Sequence, residues 1–371
     1  MKKKNLFLLP LAGILSFSLA ACGAGAKDAN NDKESTVVIK DQSNPVREVK
    51  APHGAQRIAT AIIPYPEVVT AVDDGSWNRI VGINKTTLAL NKGSVAGDLY
   101  PESLNTTVIT TDGFDVDPEV LAKLNADSAV QWHYEDMKHL QDAGLPTIGL
   151  NYGTLDDLKG WISITGQLLA KEDRASQIVK KFDDARSEIN NKVKDKDKVS
   201  AITLVSVEDA AFSAFSADQS YDKENFDTTN ATGVATGIPD SSGQITVEKL
   251  IEWNPDVIFI SGLGKATPDD VLNHPLLKEL SAVKNKRVYK TPTGIFPWQI
   301  PCAENYLMWY WMNAVLRPDD SGVNVREKAR EEMKFLFNKE LTDEQLDKVF
   351  RMDMNKGSAN YEKLFGASAS K

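Results

Sequence analysis

The sequence predicts an α/β protein made of two Rossmann-like lobes, each with a mainly parallel sheet, joined by a single long α-helix. Three observations carry that expectation. The stretch from Glu172 to about Lys194 spaces Ala175, Ile178, Val179, Phe182, Ala185, Ile189 and Val193 three or four residues apart, along one side of a helix. Charged residues fill its other side and no Gly or Pro interrupts it, so it runs roughly 35 Å, enough to pass from one lobe to the next. A segment before this helix also resembles one after it: Asp117-Pro118-Glu119 opens PEVLAKLNADSAVQW, and Thr246-Val247-Glu248 opens VEKLIEWNPDVIFIS. Aligned on the glutamates, Leu121 matches Leu250, Asn125 matches Asn254 and Asp127 matches Asp256. Finally, short apolar runs alternate with amphipathic segments, the pattern of a parallel sheet covered by helices on both faces.

Taken in order, the chain begins with the basic Lys2-Lys3-Lys4 and an apolar run from Leu6 to Ala20 that is short and rich in small residues. This is the pattern of a signal peptide rather than a membrane span. It ends in Leu19-Ala20-Ala21-Cys22-Gly23, which resembles a bacterial lipobox, so residues 1–21 are expected to be removed and Cys22 to carry lipid. The alternative is a plain secretory signal in which Cys22 is incidental. Residues 22–35 are small and polar, a flexible tether. The first lobe is assigned to 36–171, the bridging helix to 172–195, and the second lobe with a helical tail to 196–371.

In the first lobe, Arg57 to Ala61, Arg79 to Asn84, Ser128 to Trp132 and Thr147 to Asn151 read as strands, after a strand pair at Thr36 to Lys40 and Val46 to Lys50. Helical patterns separate them at Pro66 to Val72, Pro118 to Leu124 and Asp136 to Ala143, and Thr154 caps a further helix to Leu169. In the second lobe, Val199 to Val207, Val257 to Ser261 and Arg287 to Lys290 are strands, with helices starting near Thr246, Asp269 and Ala303. The amphipathic tail from Val325 to Phe350 is expected on the outside of that lobe.

The net charge is −9 and no basic patch stands out, which argues against nucleic acid as a partner. With Cys22 acylated, only Cys302 remains, so no intramolecular disulfide forms and Cys302 reads as a small hydrophobe. There is no Gly-x-Ser-x-Gly elbow, no His-Glu-x-x-His and no phosphate-binding loop. An enzyme is therefore not expected. A surface hydrolase, a metalloenzyme and a purely structural lipoprotein stand as the competing classes.

RIATAIIPYPEVVTAV, the doubled glutamate segments, the long helix, LSAVKNKRVYKTP and PWQIPCAENYLMWYWMNAVLRPD, in that order, resemble the lipoprotein substrate-binding components of ABC importers. The group is the one that handles iron–siderophores, haem and cobalamin, and the resemblance covers nearly all of the chain after the tether. It implies two lobes on a rigid helix that close slightly on a ligand between them. A glutamate on each lobe, by position Glu119 and Glu248, would dock on arginines of a permease dimer. A monomer held by lipid at the outer face of the cell membrane is the implied form. The plainer role for both glutamates is to favour a helix N-terminus, worth about 0.3–1 kcal/mol each.

In open α/β sheets the ligand lies in the crevice beyond the carboxyl ends of the strands. Those ends deliver Ile63-Pro64-Tyr65, Lys85 and Trp132-His133-Tyr134 from the first lobe, and Ser206 to Phe215, Ser261-Gly262 and Gly294 to Trp298 from the second. Tyr65, Lys85, Trp132, His133, Tyr134, Phe215, Phe296 and Trp298 are the expected ligand-binding residues, with aromatic faces suited to a large ring-shaped ligand. Trp132 has an alternative place in the core. His133 or Tyr134 offers a ligand to haem iron, and His133, Glu135 and His139 together suggest a zinc or manganese site, the weaker readings. A hydroxamate siderophore is the favoured cargo, haem or cobalamin the alternative, and iron enters only inside the bound chelate. No resident cofactor is expected.

Overall fold

The computed structural model describes residues 35–132, 138–142, 144–208, 211–320 and 322–367. The first lobe opens with a hairpin of β1 (Thr36–Lys40) and β2 (Glu48–Pro52). Five short parallel strands follow: β3 (Ile58–Thr60), β4 (Ile80–Ile83), β5 (Thr107–Val108), β6 (Ser128–Gln131) and β7 (Thr147–Gly149), in the order β5-β4-β3-β6-β7. Between them run α1 (Tyr65–Val72), α2 (Lys85–Lys92), α3 (Val95–Leu99), α4 (Pro118–Lys123), α5 (Lys138–Asp142) and α6 (Leu155–Leu169). Strands β3 and β6 are buried along their whole length, the polar Thr60, Ser128 and Gln131 included.

Helix α7 (Glu172–Val193) is the predicted bridge, 22 residues and about 33 Å long. It buries Ala175, Ile178, Phe182, Ala185, Ile189 and Val193 and packs on α6 and on α12. At its start Glu172 meets His53 of the first lobe at 2.8 Å, and near its end Arg186 pairs with Glu224 of the second at 3.1 Å.

The second lobe contains β8 (Val199–Val207), β9 (Ala211–Phe215), α8 (Asp222–Thr228), β10 (Ala231–Gly233), β11 (Ser242–Thr246), α9 (Val247–Trp253), β12 (Val257–Ile260), α10 (Pro268–Leu272), α11 (Ser281–Lys284), β13 (Val288–Lys290) and α12 (Tyr306–Leu316). Its sheet is mixed, in the order β11-β9-β8-β12-β13 with β10 also beside β8. Strands β8, β12 and β13 are parallel, as predicted, while β9 and β11 add an antiparallel edge.

The tail, α13 (Val325–Phe337), α14 (Asp343–Val349) and α15 (Tyr361–Phe365), departs from the expectation. It does not stay on the second lobe. Helix α13 buries Val325, Ala329, Met333, Leu336 and Phe337 and packs against both α12 and α1. Arg174 of α7 donates to the carbonyls of Phe335 and Leu336, Tyr100 donates to that of Phe337, and Lys348 pairs with Asp98 at 2.8 Å. Gly75, at φ +85°, lies so close that a Cβ there would sit 1.9 Å from the Phe337 oxygen. The apolar face of α13 is thus covered by elements of both lobes, and the tail is a second strap between them.

Candidate functional site

Loops that follow strands of both sheets meet at an apolar cluster shared by the two lobes. The strand ends of the first lobe deliver Ile63, Lys85 and Trp132, and those of the second Phe215 and the loop 294–300 after β13. Phe296, Ile300 and Cys302 form a small apolar cluster against which Ile63 and Leu90 pack from the first lobe and Phe215 from the second. The junction is therefore apolar and made by both lobes. In the first lobe Trp132 is half-buried within a run of rings: Phe114 at 6.3 Å, Tyr152 at 6.0 Å and Trp161 at 5.3 Å between centroids. Trp161 is core, anchored by its indole N–H on the Asn151 carbonyl, whereas Phe114 is 44 % exposed. Leu263 of the second lobe is also exposed.

Polar groups punctuate this surface sparingly. Lys85, exposed at the start of α2, donates to the Thr111 carbonyl and to Asp112 at 2.9 Å, which holds the Asp112 carboxyl below its ordinary range. Ser206 and Ser213 share a hydrogen bond of 2.7 Å across the β8–β9 ladder. The Tyr152 hydroxyl meets the backbone of Tyr221 in the second lobe; burial and the nearby Asp222 charge push its phenol up. Burial also pushes the Asp222 carboxyl up to about 6, against hydrogen bonds from Thr203 and Asn225.

Two predicted contact residues lie elsewhere. Tyr65 is fully buried between α1 and α6, with its hydroxyl 2.8 Å from Thr165 Oγ1. Since Thr165 donates to the Trp161 carbonyl, the phenol supplies the proton. Trp298 is equally buried, packed edge-on against Phe350, and its indole N–H donates to Glu304 at 2.6 Å. Both belong to the core: the neighbouring prolines turn the loops there, and the rings fall on the inner side of the turn. Phe296 is buried in the apolar cluster, Phe215 and Trp132 are half-buried, and Lys85 is exposed. His133, Tyr134, Glu135 and Cys22 lie outside the described residues. His139 sits on the outer face in a recess of about 210 Å³ with Pro118, Leu121, Asn125 and Leu145. Among the described residues no cluster of His, Cys, Asp or Glu is placed to hold a metal ion. Phe114, Tyr152 and Leu90 escaped the sequence reading: Phe114 and Leu90 follow no strand that the sequence displays, and Tyr152, just after the Thr147 to Asn151 strand, was passed over.

The paired glutamates occupy matching exposed places. Glu119 is in the first turn of α4, whose N-terminal N–H groups are capped by Asp117; Glu248 is in the first turn of α9, capped by Thr246. Both helices end on an asparagine-led turn, Asn125 at φ +48° and Asn254 at φ +39°.

Residues 65–293, more than half of the chain, match the family described as periplasmic binding protein. The chain belongs to that family. It is a solute-binding protein of an ABC transporter, acting outside the cytoplasm. It is 25% identical over 299 residues to the iron(3+)-hydroxamate-binding protein FhuD of Bacillus subtilis, covering 76% of this chain and 89% of that one. To the molybdate-binding protein MolA of Haemophilus influenzae it is 22% identical over 344 residues, covering 86% and 91%. The crystal structure of a periplasmic solute-binding protein from Veillonella parvula superposes with a TM-score of 0.78 at 26% identity, over 87% of this chain and 99% of that one. Each of these relatives is named as a binding protein. Among the described residues no helix is long and apolar enough to cross a membrane.

Proposed function

We propose that this binding protein captures a ferric hydroxamate chelate in the interlobe crevice and hands it to an ABC permease, anchored meanwhile by lipid on Cys22. The carrying observation is the character of the crevice. We assign its floor to Ile63, Leu90, Phe215, Phe296 and Ile300, which pack as one apolar cluster, and its wall to the rings of Phe114, Trp132 and Tyr152; the described strand ends beside them carry lysines, Lys85 and Lys265, rather than arginines. A polyanionic solute such as a triscatecholate, citrate or an oxyanion calls for clustered guanidinium or N–H donors. A ferric trihydroxamate is neutral at its metal centre and broad, so apolar and aromatic surface with a few hydroxyls suits it. The similarity to FhuD supports this reading and that to MolA opposes it. Docking on the permease is assigned to Glu119 and Glu248.

The test is a titration of the purified protein with a ferric trihydroxamate, ferric citrate, molybdate, haem and cyanocobalamin, read by tryptophan fluorescence and native mass spectrometry. Tight one-to-one binding of the trihydroxamate with quenching of Trp132 is expected. Preference for molybdate or citrate by tenfold or more overturns it.

A further inference from the structure

Two fully buried carboxylates meet where the lobes touch. Glu67, in the first turn of α1, is 2 % exposed and Glu304, just before α12, is 0 % exposed. Glu67 Oε2 accepts from the Ala303 backbone N–H at 2.8 Å, a hydrogen bond from the second lobe to the first. Glu304 sits in a cradle made by the crevice loop: the N–H groups of Ile295 and Phe296 at 2.8 and 3.2 Å, and the Trp298 indole at 2.6 Å. Gly294 makes room for it, since a Cβ there would stand 1.7 Å from Glu304 Oε2. Among the described residues neither carboxylate has an ion-pair partner, and Glu67 Oε1 has no hydrogen-bond partner at all.

Among the described residues no cation is paired with either carboxylate. Tyr100 from the end of α3 and Cys302 in the loop face the pair; burial pushes both up and the charges of Glu304 and Glu67 add to it. Tyr306 of α12 is pushed up by burial and then by Glu332, to which it donates, with Glu304 adding less. On the packed helices, Arg174 of α7 is directed to the far end of α1, where it donates to the Ala71 carbonyl. Lys181 and Lys328 are both engaged by Glu332 of α13 at 3.0 Å. Two ionised carboxylates in such a space repel without compensation.

We propose that Glu67 and Glu304 form a proton-operated latch: while they hold a proton the lobes keep this arrangement, and its loss drives them apart. Burial is the first cause that raises both carboxyls, and the Glu304 charge raises Glu67 further. In separated lobes both groups are hydrated and ionise near pH 4.3. Between that value and mildly alkaline pH, the joined state therefore binds more protons than the separated state. Acid favours closure and alkali favours opening.

The test uses spin labels on the full chain at Lys123→Cys and Glu252→Cys, exposed sites on α4 and α9. The interlobe distance is measured at pH 5.5 and pH 9, without any ligand. Widening at pH 9 is expected in the native background and clearly less in Glu67→Gln, which removes the like-charge repulsion while its amide oxygen still accepts from Ala303. An unchanged native distance, or the same widening in Glu67→Gln, overturns the latch whatever the cargo proves to be. Should Glu67→Gln not fold, the native infrared spectrum decides: a protonated-carboxyl band at pH 7 that disappears as the distance widens is expected, and its absence sinks the proposal.

Discussion

Asp127 and Asp256 do the same work in the two lobes. Asp127 Oδ2 accepts from the backbone N–H of Gln56 and Arg57, at 2.6 and 3.0 Å, and so ties the start of β6 to the start of β3. Asp256 Oδ2 accepts from the N–H and hydroxyl of Ser200, at 3.2 and 2.7 Å, and ties the start of β12 to β8. Each aspartate follows a helix that ends in a left-handed asparagine, a conformation asparagine tolerates better than most residues. The repeat visible in the sequence is thus a repeat of hydrogen bonding. It ties the turns after α4 and α9, the helices that carry Glu119 and Glu248, to the amino ends of matching interior strands.

That equivalence sets the expected behaviour of the glutamates. Glu119→Ala and Glu248→Ala should each leave solute affinity unchanged and lower uptake, and the double variant should be worse. Neither should cost more than about 1 kcal/mol of stability, because the helix-dipole contribution at an exposed site is no larger. Salt should impair docking more than solute binding, since exposed charge pairs are screened. Transport by cells carrying each variant, beside titration of the purified proteins, makes the comparison. Normal uptake by the double variant would leave both residues as helix-start groups only.

The aromatic wall separates contact residues from core ones. Trp132→Ala and Phe114→Ala should weaken binding of a ferric trihydroxamate, Trp132 by about 2 kcal/mol, or roughly thirtyfold, as for a well-placed aromatic anchor. Trp298→Ala should instead destabilise the fold by about 3–5 kcal/mol, a cavity in the core that also removes a donor from Glu304. Calorimetry and thermal unfolding of the three variants distinguish these effects. A well-folded Trp298→Ala protein that has lost only affinity would put this ring back in the site.

Much of this was legible because it rests on periodicity. Helices α6 and α7 carry long apolar stripes, β12 is an unbroken apolar run, and β3, β6 and β8 have apolar centres, so burial wrote itself into the sequence. Helix α2, KTTLALNK, buries only Thr87 and Asn91, and its start depends on a cap by Asn84 that leaves little trace in hydropathy. The antiparallel β9–β11 edge alternates with small and polar residues and escaped for the same reason. In the site, the loops after the strands were identifiable but not the direction of each ring. Pro64 and Pro297 mark turns, yet whether Tyr65 or Trp298 faces solvent depends on partners more than 50 residues away or on Glu304. Phe114 and Tyr152 belong to loops whose approach to Trp132 only the tertiary fold determines. The tail offered an amphipathic face without saying which lobe would cover it.

Cys22 is open to direct assay. Cells expressing the native chain should incorporate labelled palmitate into it, and Cys22→Ala should leave it unprocessed or released into the medium. Equal incorporation by the variant excludes lipid attachment at that thiol.

Asp41 provides the clearest dependence on pH. It is buried at the end of β1, and burial alone would raise its carboxyl. The Gly149 N–H at 2.9 Å, the Arg47 guanidinium, and the N–H groups of Arg47 and Ser43 at 3.1 Å outweigh burial and hold it below the ordinary aspartate range. These bonds fasten the N-terminal hairpin, the first structure after the tether, to β7. Asp41→Asn replaces a carboxylate oxygen by a donor facing other donors, so a loss of about 3 kcal/mol is expected. Because the folded carboxyl is depressed, the folded chain binds fewer protons than the unfolded one in the acid range. Its contribution is complete above the ordinary value near pH 3.9 and disappears as pH falls through the folded value. The native protein should therefore exceed Asp41→Asn in thermal stability by a constant margin from pH 7 to 5, and the margin should shrink toward pH 3. Melting curves across that range measure it, and a margin that stays constant to pH 3 shows that Asp41 acts through packing rather than charge.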